Sequence, residues 1–330
     1  MNTSPLSRFT HDAGVYLDVL VRSVRIEAES IRSYELVAAS GSLPAWTPGA
    51  HVQLSLPGQL KRAYSLCNHR GENACYRIAV KLESQSRGGS RAVHQLAPGD
   101  RLRISPPQNL FEPDTAARRH VLIAGGIGIT PLYAMSNALG DDACEMHYFT
   151  RDLKCAAFAD RLTGRALLHA GLDSAATAAA LHEIVTPHAD DERTTFYTCG
   201  PSGFMSSVET ALLRAGVPPE RLRSERFGAE VPTVPLETQG AAGSFHVVFA
   251  RSAVEALVPS GVPIIVIARQ HGIDIPTSCE QGVCGACETG VLEGVPEHHD
   301  AYLSDAERAS GKILLPCVSR CTGGRLVLDR

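Results

Sequence analysis

Several features are missing from this 330-residue sequence. No apolar run reaches 18 residues, so no membrane-spanning helix is expected. The N-terminal stretch MNTSPLSRFT is polar and lacks the apolar core of a signal peptide, which predicts a cytosolic protein. Charge of one sign is not in excess: 31 Lys+Arg and 35 Asp+Glu give a net charge of −4, and nothing points to nucleic acid binding. There is no internal repeat and no low-complexity tract.

Three patterns follow one another along the chain. Residues 1–113 hold short β-rich stretches separated by turn residues, which predicts an antiparallel barrel or sandwich. Residues 114–228 alternate apolar strands with alanine-rich helices, which is typical of an α/β domain with a parallel sheet. Residues 229–242 are rich in Pro, Gly and polar residues and predict a linker, and residues 243–330 are long enough for a small third domain.

The ten cysteines are unevenly distributed, because five of them lie in the last 52 residues. Four show the spacing C-x4-C-x2-C-x29-C, which is typical of a plant-type [2Fe–2S] cluster. These predicted ligands are Cys279, Cys284, Cys287 and Cys317. Iron with bridging sulfide prefers soft thiolates, and Gly282 and Gly285 would let backbone N–H groups approach the sulfurs. Structural zinc is the alternative, but a four-cysteine zinc site usually shows two CxxC pairs, and this segment has one.

Residues 243–330 resemble plant-type ferredoxins through CEQGVCGAC and LPCVSR. The resemblance implies a β-grasp fold with the four cysteines as cluster ligands.

A second motif, RAYS, follows a strand of the first domain. An arginine can fork onto a phosphate, a tyrosine can lie against a flat ring, and a serine can hydrogen-bond a ring nitrogen. For RAYS alone, a surface turn with a strand aromatic is the better explanation. Downstream, IAVK precedes a GGS that opens a helical pattern, where backbone amides could hold a phosphate. RAYS with this GGS resembles the flavin barrel of the ferredoxin–NADP reductase superfamily. The flavin-binding candidates are Arg62, Tyr64, Ser65, Val80, Lys81, Gly88, Gly89 and Ser90.

Two motifs of the α/β segment each follow a strand and open a helix. GGIGITP (125–131) has the glycines that let the backbone approach a pyrophosphate, but it lacks the third glycine of GxGxxG. GGIGITP and CGPSGFM (199–205) both resemble the pyridine-nucleotide loops of the same superfamily, which places Cys199 near the nicotinamide–flavin junction. The nucleotide-binding candidates are Gly125, Gly126, Gly128, Thr130, Pro131, Cys199, Gly200, Pro201, Phe204 and Met205. The catalytic candidates are Cys199, Ser65 and Thr130.

Two further positions are candidates with alternatives. Arg151, after a strand, suits a ribose or phosphate contact or is simply solvated, and Asp152 beside it could repel a 2′-phosphate, which favours NADH over NADPH. Phe227 either covers the flavin, as an aromatic in this region does in the similar reductases, or packs in the core or anchors the linker.

The order of domains resembles phthalate dioxygenase reductase and vanillate O-demethylase reductase. The resemblance implies FMN rather than FAD, an NADH-dependent monomeric reductase, and electron flow from NADH through FMN and [2Fe–2S] to a terminal Rieske non-haem iron oxygenase for an aromatic acid. A flavin oxidoreductase acting alone on a small organic acceptor, with a structural cluster, is the alternative. An electron carrier or interaction protein with vestigial nucleotide motifs is a third reading, against which both intact motifs argue.

Overall fold

The computed structural model describes residues 16–57, 60–69, 71–72, 74–84, 86, 88–227, 243–277, 282, 285, 287–300 and 302–330. The described chain forms two compact units that divide between Arg226 and Phe227. The predicted linker 229–242 and the N-terminal stretch lie outside the described residues, as do Cys279 and Cys284. In the described ranges no helix is both long and apolar enough to cross a bilayer.

The first unit begins with a six-stranded antiparallel sheet in the order β4-β3-β6-β1-β2-β5. Its strands are β1 (Leu17–Ala28), β2 (Ile31–Ala38), β3 (His51–Leu56), β4 (Leu60–Ser65), β5 (Tyr76–Lys81) and β6 (Arg101–Ile104). Leu66, just beyond β4, forms a bridge to Ile78 of β5, so the two outermost strands meet and the sheet closes into a barrel. The helix α1 (Gly89–His94) follows β5, and alternate apolar side chains such as Val52, Leu54 and Leu56 fill the interior.

The same unit continues with a five-stranded parallel sheet in the order β11-β10-β7-β8-β9. Its strands are β7 (Arg119–Gly125), β8 (Cys144–Thr150), β9 (Leu167–Ala170), β10 (Thr194–Gly200) and β11 (Leu222–Arg226). Its helices are α2 (Ile129–Leu139), α3 (Ala159–Leu162), α4 (Ser174–Val185) and α5 (Ser202–Arg214). The central strands are buried throughout, as expected of parallel strands covered on both faces. The strand order reverses between β7 and β10, and ligands bind at such a switch point in open α/β sheets.

The second unit has a mixed five-stranded sheet in the order β13-β12-β18-β14-β16 and a short pair, β15-β17. Its strands are β12 (Phe245–Phe249), β13 (Val254–Val258), β14 (Thr289–Glu293), β15 (Pro296–Glu297), β16 (Ile313–Leu314), β17 (Arg320–Cys321) and β18 (Arg325–Leu328). The helices are α6 (Ile264–Gln270) and α7 (Asp305–Ser310). Five consecutive residues of α6, from Ile264 to Ala268, are buried against this sheet.

The predicted fold class is confirmed in all three parts: an antiparallel barrel, a parallel α/β sheet and a ferredoxin-like C-terminal unit. The four predicted boundaries, 1–113, 114–228, 229–242 and 243–330, stay predictions.

Candidate functional site

The two nucleotide motifs meet at the carboxyl edge of the parallel sheet. β7 ends at Gly125 and β10 at Gly200, and these strands are neighbours. A Cβ atom on Gly128 would lie 2.1 Å from the carbonyl oxygen of Cys199, so only glycine lets the first loop pass the second. Two sequence segments separated by about 70 residues therefore form one surface at the switch point, as their strand-to-helix positions predict.

Phe204, in the first turn of α5, lies against both loops. Cβ atoms on Gly125 and Gly200 would come within 2.6 Å and 2.9 Å of its ring. The ring therefore fixes the loop backbones, which is a packing role in addition to the binding role predicted for it. Met205, the next candidate, is completely buried, and Pro201 is exposed before the first turn of α5.

The first loop leaves open space where a pyrophosphate is expected. Gly126 has a φ of +54°, and a Cβ atom there would meet nothing within 4 Å. Thr130 is buried, and its hydroxyl donates to the Ile127 carbonyl over 3.1 Å, which shapes the turn. Pro131 lies in the first turn of α2, whose N-terminal amides point toward this space. The loop has the space and the positive potential that a pyrophosphate needs.

The predicted flavin candidates come together on the barrel. Gly89 opens α1 directly against the Arg62 side chain, since a Cβ atom on it would lie 2.7 Å from Arg62 Cγ. Gly88 has a φ of +90°, a conformation that favours glycine. An arginine beside the amides at the start of α1 fits a flavin phosphate.

The remaining flavin candidates are placed differently. The side chain of Val80 is buried, whereas Lys81 forms an ion pair with Glu83 at 3.0 Å. Ser90 donates to the hydroxyl of Ser86 over 2.9 Å. Tyr64 is half-buried one residue before Ser65 on β4.

Sequence reasoning missed one residue, Glu225. The Ser65 hydroxyl lies 3.2 Å from a Glu225 carboxylate oxygen, although 160 residues separate them. Glu225 on β11 is opposite Cys199 on β10, so three elements bring Ser65, Cys199 and Glu225 together. Burial raises the pKa of Glu225 to about 7, against the opposing effect of the Ser65 hydrogen bond. Burial, and then the nearby Glu225, raises the pKa of the Cys199 thiol, which keeps it neutral.

No spacing in the sequence points to this carboxylate, because Glu225 is one of 35 acidic residues and belongs to no local motif. Its only signal is its place at the end of the last strand of the sheet, two residues before Phe227. A carboxyl group that changes charge near neutral pH, next to a buried thiol and a hydroxyl, can gain or lose its own proton beside Ser65 Oγ.

Two predicted binding residues, Arg151 and Phe227, are not among the contacts of Ser65, Cys199 and Glu225 described above. Arg151 is exposed after β8. Asp152 caps the next turn, where its carboxylate accepts from the Lys154 amide over 3.1 Å. Phe227 is 41% exposed and begins the second compact unit, so its flavin contact stays a prediction.

Two of the four predicted cluster ligands, Cys287 and Cys317, lie in the described part of the chain. Both thiols are buried and their sulfurs are 3.2 Å apart, too far for a disulfide bond of about 2.05 Å. Two buried sulfurs at this separation fit neighbouring ligands of one metal ion.

The glycines of the cluster loop are required by their surroundings. Gly282 and Gly285 have φ values of +75° and +68°. A Cβ atom on Gly285 would lie 2.2 Å from the ring of Tyr302, and one on Gly282 would lie 2.6 Å from Val318. The loop can therefore fold closely around a cluster only with glycine at both positions. This agrees with the expectation drawn from the spacing.

Comparisons with known proteins agree with this arrangement. The family described as "2Fe-2S iron-sulfur cluster binding domain" matches residues 248–322. Vanillate O-demethylase oxidoreductase of Pseudomonas putida is 40% identical over 321 residues, which is 95% of this chain and 99% of that protein. Tetrachlorobenzoquinone reductase of Sphingobium chlorophenolicum is 41% identical, over 95% of this chain and 98% of that protein.

A solved structure is similar over nearly the whole length. Phthalate dioxygenase reductase, described as a modular structure for electron transfer from pyridine nucleotides to [2Fe-2S], has a TM-score of 0.66 and 32% identity. The match covers 96% of this chain and 98% of that one. Because three modules in one order, their motifs and the full-length identity all agree, the chain belongs to the family of vanillate O-demethylase oxidoreductase and phthalate dioxygenase reductase, and it is an iron–sulfur flavoprotein oxidoreductase with a [2Fe–2S] domain.

Proposed function

We propose that this chain is the NADH-dependent reductase of a terminal Rieske non-haem iron oxygenase that acts on an aromatic acid. The observation that supports this most is the union of three elements in one chain. These are a nucleotide edge at Gly125 and Gly200, a flavin strand ending at Ser65, and a buried cysteine pair at Cys287 and Cys317. When bound, these groups supply the conversion of a two-electron donor into a one-electron donor.

The chain's own residues have three roles in this proposal. The loop at Gly126 and the start of α2 bind the pyrophosphate, while Arg62 and the start of α1 bind the flavin phosphate. Cys199 remains neutral and buried at the junction, where it excludes water. The Ser65 hydroxyl is held by a hydrogen bond to Glu225, whose own carboxyl group gains or loses a proton near neutral pH.

The oxygenase is expected to meet the ferredoxin-like segment 243–330, which has 7 Lys+Arg and 10 Asp+Glu. Not every acidic residue near the cluster contributes, because Asp300 is buried and accepts from the Leu303 amide over 2.8 Å. Glu293 is exposed and paired with Arg325 at 3.1 Å. A basic patch on the oxygenase would complement the exposed carboxylates, and electron transfer should then weaken as salt rises.

The second candidate, a flavin oxidoreductase with a small organic acceptor, is favoured by the similarity to a tetrachlorobenzoquinone reductase. The two functions differ in whether electron delivery needs the cluster. Wild-type protein and Cys287→Ser are each mixed with NADH and one of two electron acceptors. The first acceptor is a purified Rieske oxygenase that demethylates vanillate, and the second is tetrachlorobenzoquinone.

The reductase proposal expects NADH-dependent product formation by the oxygenase with the wild type and none with Cys287→Ser. If the oxygenase is never reduced, while both forms reduce the quinone at the same rate, the chain is a quinone-type reductase.

A cytoplasmic location and a monomeric state belong to the same proposal. NADH is available in the cytoplasm, and sedimentation of the purified holoenzyme tests the monomeric state.

A further inference from the structure

The barrel and the parallel sheet must be held at a fixed separation, because hydride transfer requires reacting atoms about 3–3.5 Å apart. We propose that His69 and Tyr133 form a positioning pair that sets the distance between the flavin strand β4 and the nucleotide-binding helix α2. His69 lies four residues after Ser65, and Tyr133 lies three residues after Thr130. The pair thus links points close to both cofactor motifs.

The contact is direct and directional. His69 Nδ1 and the Tyr133 hydroxyl oxygen are 2.9 Å apart, and the two rings meet edge to face with centroids 5.6 Å apart. One helical turn further along α2, the side-chain amide of Asn137 donates to the backbone carbonyl of Asn68 over 3.1 Å. Two hydrogen bonds at i and i+4 on one helix face therefore fix the orientation of the strand end as well as its distance.

Both sides of this contact are held from behind. The Tyr133 ring stacks on Phe158 at 4.6 Å and is almost fully buried. On the barrel side, the Asn68 side chain donates to the carbonyls of Glu72 and Cys75 and accepts from the Arg77 amide, all within 2.9 Å. A shift of His69 would therefore have to move a whole loop, so the pair acts as a rigid link.

The histidine is retained at a cost to stability. Its Nε2 is buried without a hydrogen-bond partner among the described residues, and burial lowers the pKa of His69 to about 4. A buried polar nitrogen without a partner is unfavourable, and an apolar side chain of similar size would avoid this penalty. An apolar side chain at position 69, however, could not form the hydrogen bond to Tyr133.

The inference rests on the flavin and nucleotide sites proposed above. It adds that the separation of those sites depends on two residues that contact each other and belong to neither predicted binding motif. The test uses the full-length holoenzyme with Tyr133→Phe, which removes the hydroxyl and keeps the ring. The matched control is Tyr148→Phe on β8, which removes another buried tyrosine hydroxyl, one that accepts from the Ala157 amide at 3.1 Å.

Stopped-flow absorbance measures the limiting rate of flavin reduction and its half-saturating NADH concentration, and released flavin gives the cofactor content. We expect Tyr133→Phe and His69→Leu to lower the limiting rate about tenfold, since a misplacement of ~1 Å can cost as much as 100-fold. Half-saturation and flavin content should stay at wild-type values, and the isotope effect with 4-deuterated NADH should not fall. His69→Asn, which keeps a hydrogen-bonding group near the Nδ1 position, should restore most of the rate.

A limiting rate in Tyr133→Phe equal to that of the wild type would overturn the proposal. So would an equal loss in Tyr148→Phe, because the effect would then be general destabilisation. If Tyr133→Phe does not fold, the difference between His69→Leu and His69→Asn decides the question. Failure of the wild type to be reduced by NADH would refute the proposed sites themselves.

Discussion

Glu225 gives the sharpest prediction, because the fold shifts the ionisation of its carboxyl group toward neutral pH. Burial raises its pKa from 4.5 to about 7. Between these two values the unfolded chain releases the proton while the folded chain keeps it. The free energy of unfolding therefore falls as the pH rises between these values, and this loss of stability is complete above pH 7.

The size of this loss follows from the two pKa values. At about 1.4 kcal/mol for each pH unit, the ionisation of Glu225 removes up to about 3 kcal/mol from the free energy of unfolding at pH 8. Glu225→Gln removes the ionisation and keeps a hydrogen-bonding group beside Ser65. The variant should therefore gain stability relative to the wild type when the pH is raised from 5 to 8.

Urea unfolding at pH 5 and pH 8 measures this change, and Glu220→Gln, at an exposed position before β11, is the control. Glu225→Gln should also remove a break near pH 7 from the pH profile of flavin reduction, because the side chain beside Ser65 no longer ionises. The reasoning would be refuted if Glu225→Gln and the wild type differed in unfolding free energy by the same amount at pH 5 and at pH 8.

Three further predictions follow from the site. Gly128→Ala would place a Cβ atom 2.1 Å from the Cys199 carbonyl, so the half-saturating NADH concentration should rise at least tenfold while the flavin content stays the same. Gly203→Ala is the control, because a Cβ atom there meets nothing within 4 Å, and it should leave both quantities unchanged in the same titration. Cys287→Ser should lower iron content and the visible absorbance of the cluster but preserve flavin reduction by NADH, and loss of both would show that the modules depend on each other. Arg62→Ala should release flavin during gel filtration, because a charged contact to phosphate is worth about 1.5–3 kcal/mol, whereas Arg101→Ala at an exposed position should not.

Several parts of the site are predictable because they are local. A cluster ligand must be a thiolate at a defined spacing, so Cys287 and Cys317 could be chosen from the sequence alone. A glycine loop after a strand implies a phosphate site because strand, turn and helix are continuous in the chain. Gly125 and Gly128 were therefore recognisable without knowing which strand lies beside β7.

Contacts between distant segments were not predictable. Ser65 and Glu225 meet across 160 residues, and His69 meets Tyr133 across 64, because the barrel and the parallel sheet pack together. Asp300 lies among acidic residues in the sequence near the predicted cluster loop, but it is buried and accepts a hydrogen bond from the Leu303 amide. A residue's neighbours on the next element cannot be read from its own segment.

The sequence by itself determined the redox modules and their order, because motif chemistry depends on residues that are close along the chain. The absence of long apolar runs, of charge excess and of repeats had already limited the possibilities to an ordinary multidomain globular protein. Only the tertiary structure decided which strands adjoin at the carboxyl edge, and hence that Cys199 lies beside Glu225. The same packing buries that carboxyl group and raises its pKa, because desolvation depends on everything around a group and not on its neighbours in the chain.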